Sequence, residues 1–115
     1  MASVLKRILF FGAAGNQPTG NPTYPAAFPD VVAVTAGDRQ GNIAPYANYG
    51  SFVDAIAPGT SLVDYQGQSY LVRGTSAATA YVSGTAAGYR AAGNPPQNVE
   101  TFLRQTLAPR PGQMP

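Results

Sequence analysis

Two stretches of this chain carry apolar residues without alternation, and they limit its fold more than any other feature. Val4 to Ala14 and Val31 to Ala36 (VVAVTA) read as strands. A strand with one wet face alternates polar and apolar positions, whereas one buried on both faces does not. A third short run, Phe52 to Ala57 (FVDAIA), is stopped by Pro58-Gly59. Strands covered on both faces imply a parallel sheet, whose crossovers need a dozen or more residues and are usually helical. The connection Gly15 to Pro29 is long enough, but it is dense in Asn, Pro, Gly and Thr and carries no helical period. The pattern predicts part of an α/β domain rather than a whole one.

Asp38 to Asn42 reads as a turn, and Ile43 to Tyr49 as an irregular connection rich in Ala and Tyr. Leu62 to Tyr65 and Tyr70 to Arg73 flank Gln66-Gly67-Gln68-Ser69, which predicts a β-hairpin. Ser76 to Ala92 is Ala-rich and free of Pro, with Gly93-Asn94-Pro95-Pro96 as its stop, so a helix is expected. Its internal Gly84 and Gly88 cost about 1 kcal/mol each relative to Ala, and close packing against a neighbour is expected to compensate. A second helix, Pro96 to Leu107, places Val99, Phe102, Leu103 and Leu107 on one stripe. The expected fold is therefore α/β: a short, mostly parallel sheet, a hairpin and two helices over residues 1–108. A flexible tail, 109–115, follows.

What the chain lacks excludes much chemistry. Among its 115 residues there is no Cys, no His and no Trp. Disulfides, Cys or His zinc sites and an imidazole base are all ruled out within this chain. Seven Lys and Arg against five acids give a net charge of +2 with no basic stripe, so no nucleic-acid partner is expected. Lys6-Arg7 followed by Ile8 to Ala14 has the outline of a signal sequence. Its apolar run is at the low end for one and far below the roughly 20 residues that span a bilayer, so the buried strand is the better reading. The Gly84-x-x-x-Gly88 pair lies between Arg73 and Arg90 among hydroxyl side chains, unlike a membrane dimer motif.

The segment Gly74-Thr75-Ser76-Ala77-Ala78-Thr79-Ala80-Tyr81 is the one that could carry a reaction. A serine beside Gly-Thr at a helix start has two readings. Ser76 or Thr75 could be an N-cap that satisfies orphan backbone N–H groups. Alternatively, Ser76 could be a nucleophile whose oxyanion the helix N-terminus stabilises. The local pattern alone favours the cap.

Three further blocks precede that segment: Ala13-Ala14-Gly15-Asn16, Tyr24-Pro25-Ala26-Ala27-Phe28-Pro29-Asp30-Val31-Val32-Ala33-Val34, and Asp54-Ala55-Ile56-Ala57-Pro58-Gly59. With the Gly-Thr-Ser helix start, this ordered set over residues 7 to 107 resembles the C-terminal half of the subtilisin-like serine proteases. The resemblance implies a partial subtilisin-like fold and assigns Ser76 as nucleophile. It makes the Asn16 amide one oxyanion donor, with the Ser76 N–H as the other. Ala13, Ala14 and Gly15 would line a wall of the substrate pocket, with Gly74 and Thr75 beside it. Serine acyl transfer needs no cofactor. A weak calcium site near Asp54 and the backbone of Ala26, Phe28 and Val31 exists in some relatives. Here one carboxylate is thin for calcium, and Asp54 is expected to be a structural acid.

This chain departs from the family pattern in two ways. The family supplies its Asp and His from its N-terminal half, and this chain contains no His. Relatives also follow the serine with Met, Ala, a small residue, Pro and His, where this chain has Ala77, Ala78, Thr79, Ala80 and Tyr81. The small Ala77 is expected to leave volume empty beneath the nucleophile. The resemblance thus implies a proteolytic fragment or subunit acting on peptide or protein substrates and inactive in isolation. The alternative is a non-catalytic subtilase-like binding or structural module. The outer edge of strand one is expected to pair with a complementary N-terminal chain, a second copy or a swapped segment, and the sheet face is expected to bare Ile8, Phe10 or their neighbours as an apolar patch. Secretion is implied by the family only.

Overall fold

The computed structural model describes residues 8–110. Three parallel strands form the central sheet: β1 (Phe10–Ala13), β2 (Val31–Gly37) and β3 (Ala55–Pro58), in the spatial order β1-β2-β3. The register pairs Phe10 with Val31 and Val34 with Ala55. Strand β2 lies in the middle, and Val32 through Ala36 are all fully buried, as their unbroken apolar run requires. An antiparallel hairpin follows, β4 (Thr60–Tyr65) and β5 (Gln68–Arg73), then α1 (Thr75–Ala91) and α2 (Pro96–Thr106). The α/β architecture read from the sequence is the one observed.

Several boundaries differ, each for an identifiable reason. Strand one was expected from Val4, but β1 begins at Phe10, and residues 4–7 lie outside the described residues. Its partner β2 starts only at Val31, after the turn that closes with Val31 N–H on Phe28 O, so Ile8 and Leu9 have no β2 residue opposite them. Strand β3 starts at Ala55 rather than Phe52, because Val53 N–H closes a turn onto Gly50 O. It also runs on to Pro58, tolerated where an edge strand ends. The hairpin is longer than expected, with a two-residue turn of Gln66 (φ +49°) and Gly67 (φ +80°). Both central residues at positive φ make the tight turn that matches strand twist.

Helix α1 lies across all three strands of the sheet, with Ala78, Val82 and Ala86 buried at four-residue spacing. They meet Val32, Val34, Ala36 and Ala55, and Val99 and Leu103 of α2 complete that core. The C-terminus of α1 closes as the stop signal predicts. Gly93 N–H donates to Arg90 O and Asn94 N–H to Tyr89 O, with Gly93 at φ +101°. Two expectations fail here. Gly84 and Gly88 face open space, and a Cβ on either would touch nothing, so their helix cost goes uncompensated. Phe102 is 43% exposed, outside the buried Val99–Leu103 stripe, and packs edge-on against Tyr89 at 4.9 Å.

The edges of the sheet differ in cover. Ile56 N–H on β3 donates to Leu107 O at 2.8 Å, so the chain leaving α2 shields that side. At the other edge stands β1, with Ile8 64% and Phe10 50% exposed.

Candidate active site

Ser76 is the second residue of α1 and is exposed. It is not a cap: Gly74 is the N-cap residue, and neither it nor Ser76 makes a side-chain capping bond. Among the described residues neither the Ser76 hydroxyl nor its N–H has a hydrogen-bond partner. The first-turn N–H groups of a helix lack intrahelical acceptors and carry the positive end of its dipole. Here Ala77 N–H finds Gly74 O and Thr75 N–H finds a side chain, which leaves the Ser76 N–H as an open donor beside the hydroxyl.

That side chain belongs to Asn16, three residues beyond the end of β1. Thr75 N–H donates to Asn16 Oδ1 at 2.9 Å. Since an N–H needs an acceptor, this contact fixes the amide's oxygen toward Thr75 and turns its NH₂ group outward, where it has no partner among the described residues. Gly74 allows the approach. Its φ of +148° disfavours any side chain, and a Cβ there would meet Asn16 Nδ2 at 3.3 Å. Two motifs 59 residues apart therefore meet at one point, outside the C-terminal end of a parallel strand.

The remaining residues proposed from sequence cluster here but are enclosed to different degrees. Thr75 is 1% exposed, and its hydroxyl accepts the Gly15 N–H at 3.2 Å, so this side chain straps the loop to the helix rather than facing outward. Ala14 is fully buried and extends the ladder through its N–H to Val34 O, while Ala13 and Gly15 are half-buried.

The residue that holds this loop was not singled out by sequence. Asn48, fully buried, donates from Nδ2 to Ala14 O at 2.8 Å and to Thr23 Oγ1 at 3.0 Å. Its Oδ1 accepts Gln17 N–H at 2.8 Å, its N–H donates to Gly15 O, and its carbonyl accepts the Thr35 hydroxyl. One side chain thus brackets Asn16 from both sides. Gly15 sits at φ +114°, and a Cβ there would overlap the Asn48 amide. The available signal was one amide residue in the Ala- and Tyr-rich run Tyr46-Ala47-Asn48-Tyr49, where nothing marked it as buried.

Asp54 proves to be the structural acid. Its Oδ2 accepts Ala33 N–H at 2.8 Å and its Oδ1 pairs with the Arg104 guanidinium, which also bonds Glu100. Arg104 further donates to the Pro29 and Val31 carbonyls. A guanidinium occupies the place a cation would take, so the calcium site considered for Asp54 does not fit. No group of three acidic, His or Cys residues that could hold a metal occurs among the described residues.

The sequence model of the subtilase family matches residues 1–109. Subtilisin Savinase of Lederbergia lenta is 39% identical over 82 residues, covering 70% of this chain and 30% of that protein. Halolysin of Haloferax mediterranei is 39% identical over 102 residues, 85% of this chain and 20% of the relative. Among solved structures, the prenylagaramide maturation protease PagA superposes with a TM-score of 0.79 at 30% identity over 95% of this chain and 44% of its own. An S218A mutant of the PatA protease domain gives 0.75 at 34% identity, over 89% and 41%. The chain spans less than half the length of each of these proteins. With nearly all of its length matched by the family model, it belongs to the subtilase family.

Proposed function

We propose that this chain supplies the nucleophile and the oxyanion donors of a serine endopeptidase, acting on peptide or protein substrates. Ser76 Oγ attacks the scissile carbonyl, and the Ser76 N–H and the Asn16 amide receive the developing oxyanion. The observation that carries this reading is the Asn16–Thr75 contact, which sets an outward-turned amide beside an open helix N-terminus and an exposed hydroxyl. The chain has no His, so the proton of Ser76 passes to an imidazole on another polypeptide segment, oriented by an Asp. Ala13 and Gly15 supply a wall for the residue before the cleaved bond.

The same reading assigns a partner to the β1 edge. A strand at the edge of a sheet is a template for another strand, and the exposed Ile8 and Phe10 side chains favour cover over solvent. The partner that completes both sheet and triad is a complementary N-terminal subtilase segment. A secreted setting belongs to this reading on the family likeness alone. No helix among the described residues is long and apolar enough to cross a membrane.

Co-folding this chain with the Asp- and His-bearing N-terminal part of a subtilase tests the proposal. A fluorogenic peptide panel should be cleaved by the pair, by neither part alone, and not by a pair carrying Ser76→Ala. Size-exclusion chromatography with light scattering should show the 1:1 species. A stable, folded pair without turnover would leave the non-catalytic binding module as the correct reading.

A further inference from the structure

The Asn16 amide can receive an oxyanion only if the backbone beneath it stays in one place. Three contacts from Asn48 fix that backbone. Asn48 Nδ2 donates to Ala14 O at 2.8 Å, Asn48 N–H donates to Gly15 O at 2.8 Å, and Asn48 Oδ1 accepts Gln17 N–H at 2.8 Å. The anchors lie at the two residues before Asn16 and at the one after it. The second Nδ2 hydrogen goes to Thr23 Oγ1 at 3.0 Å, so both amide hydrogens are committed. Asn48 is fully buried, and its carbonyl accepts the hydroxyl of Thr35, itself fully buried on β2. A run of hydrogen bonds thus leads from the central strand to the loop that carries Asn16.

Asn48 makes no hydrogen bond to Ser76 or to the Asn16 side chain. Its influence on the site passes through the backbone of residues 14–17. That backbone has little slack against it, because a Cβ on Gly15 would overlap the Asn48 amide. Freed from these anchors, the loop could carry the Asn16 amide away from the Thr75 N–H that sets its direction. A misplacement of about 1 Å at a reacting centre can cost ~10²-fold in rate.

We propose that Asn48 is a positioning residue for the oxyanion donor. It holds Ala14, Gly15 and Gln17 so that the Asn16 NH₂ group is in place before charge develops on the attacked carbonyl. This rests on the proteolytic reading above, in which Asn16 is that donor. An effect on the transition state through Asn16, and not on stability alone, is what distinguishes this role from that of any buried amide.

Two substitutions test it in the co-folded pair. Asn48→Asp keeps an acceptor for Gln17 N–H and loses both donors, whereas Asn48→Ser keeps a shorter hydroxyl. Each is assayed where circular dichroism shows it folded, with active sites counted by fluorophosphonate titration run to completion. With either variant, kcat should fall by about tenfold or more, and KM should stay within about twofold. In an Asn16→Ala background the same substitutions should lower kcat by less than about twofold further. A purely structural defect reduces the active fraction, which the titration removes, and acts alike in both backgrounds.

A second readout needs no turnover. In ¹H–¹⁵N spectra of the full chain, the Asn16 side-chain NH₂ pair is assigned by its loss in Asn16→Asp. It should be one sharp pair in the wild-type chain and should split or broaden in both Asn48 variants. The pair of Asn98, exposed on α2, should not change. A kcat loss that adds fully to that of Asn16→Ala, or Asn16 signals that neither Asn48 substitution alters, overturns the proposal. An inactive co-folded pair removes the proteolytic reading instead, and the spectra then decide whether Asn48 positions the Asn16 amide.

Discussion

Asn16 Oδ1 accepts the Thr75 N–H at 2.9 Å, and this bond decides which way the Asn16 amide faces. The donor end of the amide is left without a partner among the described residues, and on the proposed reading it and the Ser76 N–H receive the oxygen of a carbonyl attacked by Ser76. Catalysis gains most from donors fixed before charge develops, because no reorganisation is then required.

Asn16→Asp separates the two jobs of this side chain. It keeps an acceptor for Thr75 N–H and loses the NH₂ donor. In the co-folded pair it should retain thermal stability within about 0.5 kcal/mol, as substitutions outside tightly packed features do. Turnover should fall by ~10²–10³, as it does when the equivalent donor is removed in a subtilisin. Parallel melting curves and kcat measurements on one preparation check both halves.

Asn48→Ala is expected to be more damaging to the fold than Asn16→Ala. It strands the buried Ala14 carbonyl, at about 1–3 kcal/mol for an unsatisfied buried group, and removes the acceptor of the part-buried Gln17 N–H and the donor to Thr23 Oγ1. A loss of about 2–4 kcal/mol is a large share of a typical stability of about 5–15 kcal/mol. Urea denaturation of the wild-type chain and the variant measures it, and an unchanged midpoint would remove Asn48 from the account.

The two helix glycines offer the opposite sign. A Cβ at Gly84 or Gly88 meets no atom within 4 Å, so alanine brings helix propensity without steric conflict. Each of Gly84→Ala and Gly88→Ala should stabilise by about 0.5–1 kcal/mol. The two should add, being separate exposed positions. Thermal melts of the single and double variants report this.

Calcium should leave the melting temperature unchanged. Both carboxylate oxygens of Asp54 are engaged, by Ala33 N–H and by Arg104. Millimolar calcium against a chelator control is the comparison, and an upward shift of several degrees would show that a cation displaces the guanidinium.

The sequence carried most of this architecture because its strongest signals are local. Val31 to Ala36 had to be buried on both faces, and Gly93-Asn94 had to end a helix. The meeting of Asn16 with Thr75 was legible only through the ordered blocks of the family resemblance, since no local rule links residues 59 apart. What escaped were properties set by neighbours distant in sequence. The start of β1 depends on where β2 begins. The burial of Asn48 depends on two loops closing over it. The exposure of Gly84, Gly88 and Phe102 depends on how little of each helix the small sheet covers.

The most direct measurement is the rate at which a fluorophosphonate labels Ser76. The isolated chain should stay unlabelled, because a serine hydroxyl without a base is a poor nucleophile. Co-folded with the Asp- and His-bearing N-terminal part of a subtilase, it should label stoichiometrically at Ser76, located by peptide mass spectrometry, and not at all as Ser76→Ala. Rapid labelling of the isolated chain, or a folded pair in which Ser76 remains unmodified, would contradict the account.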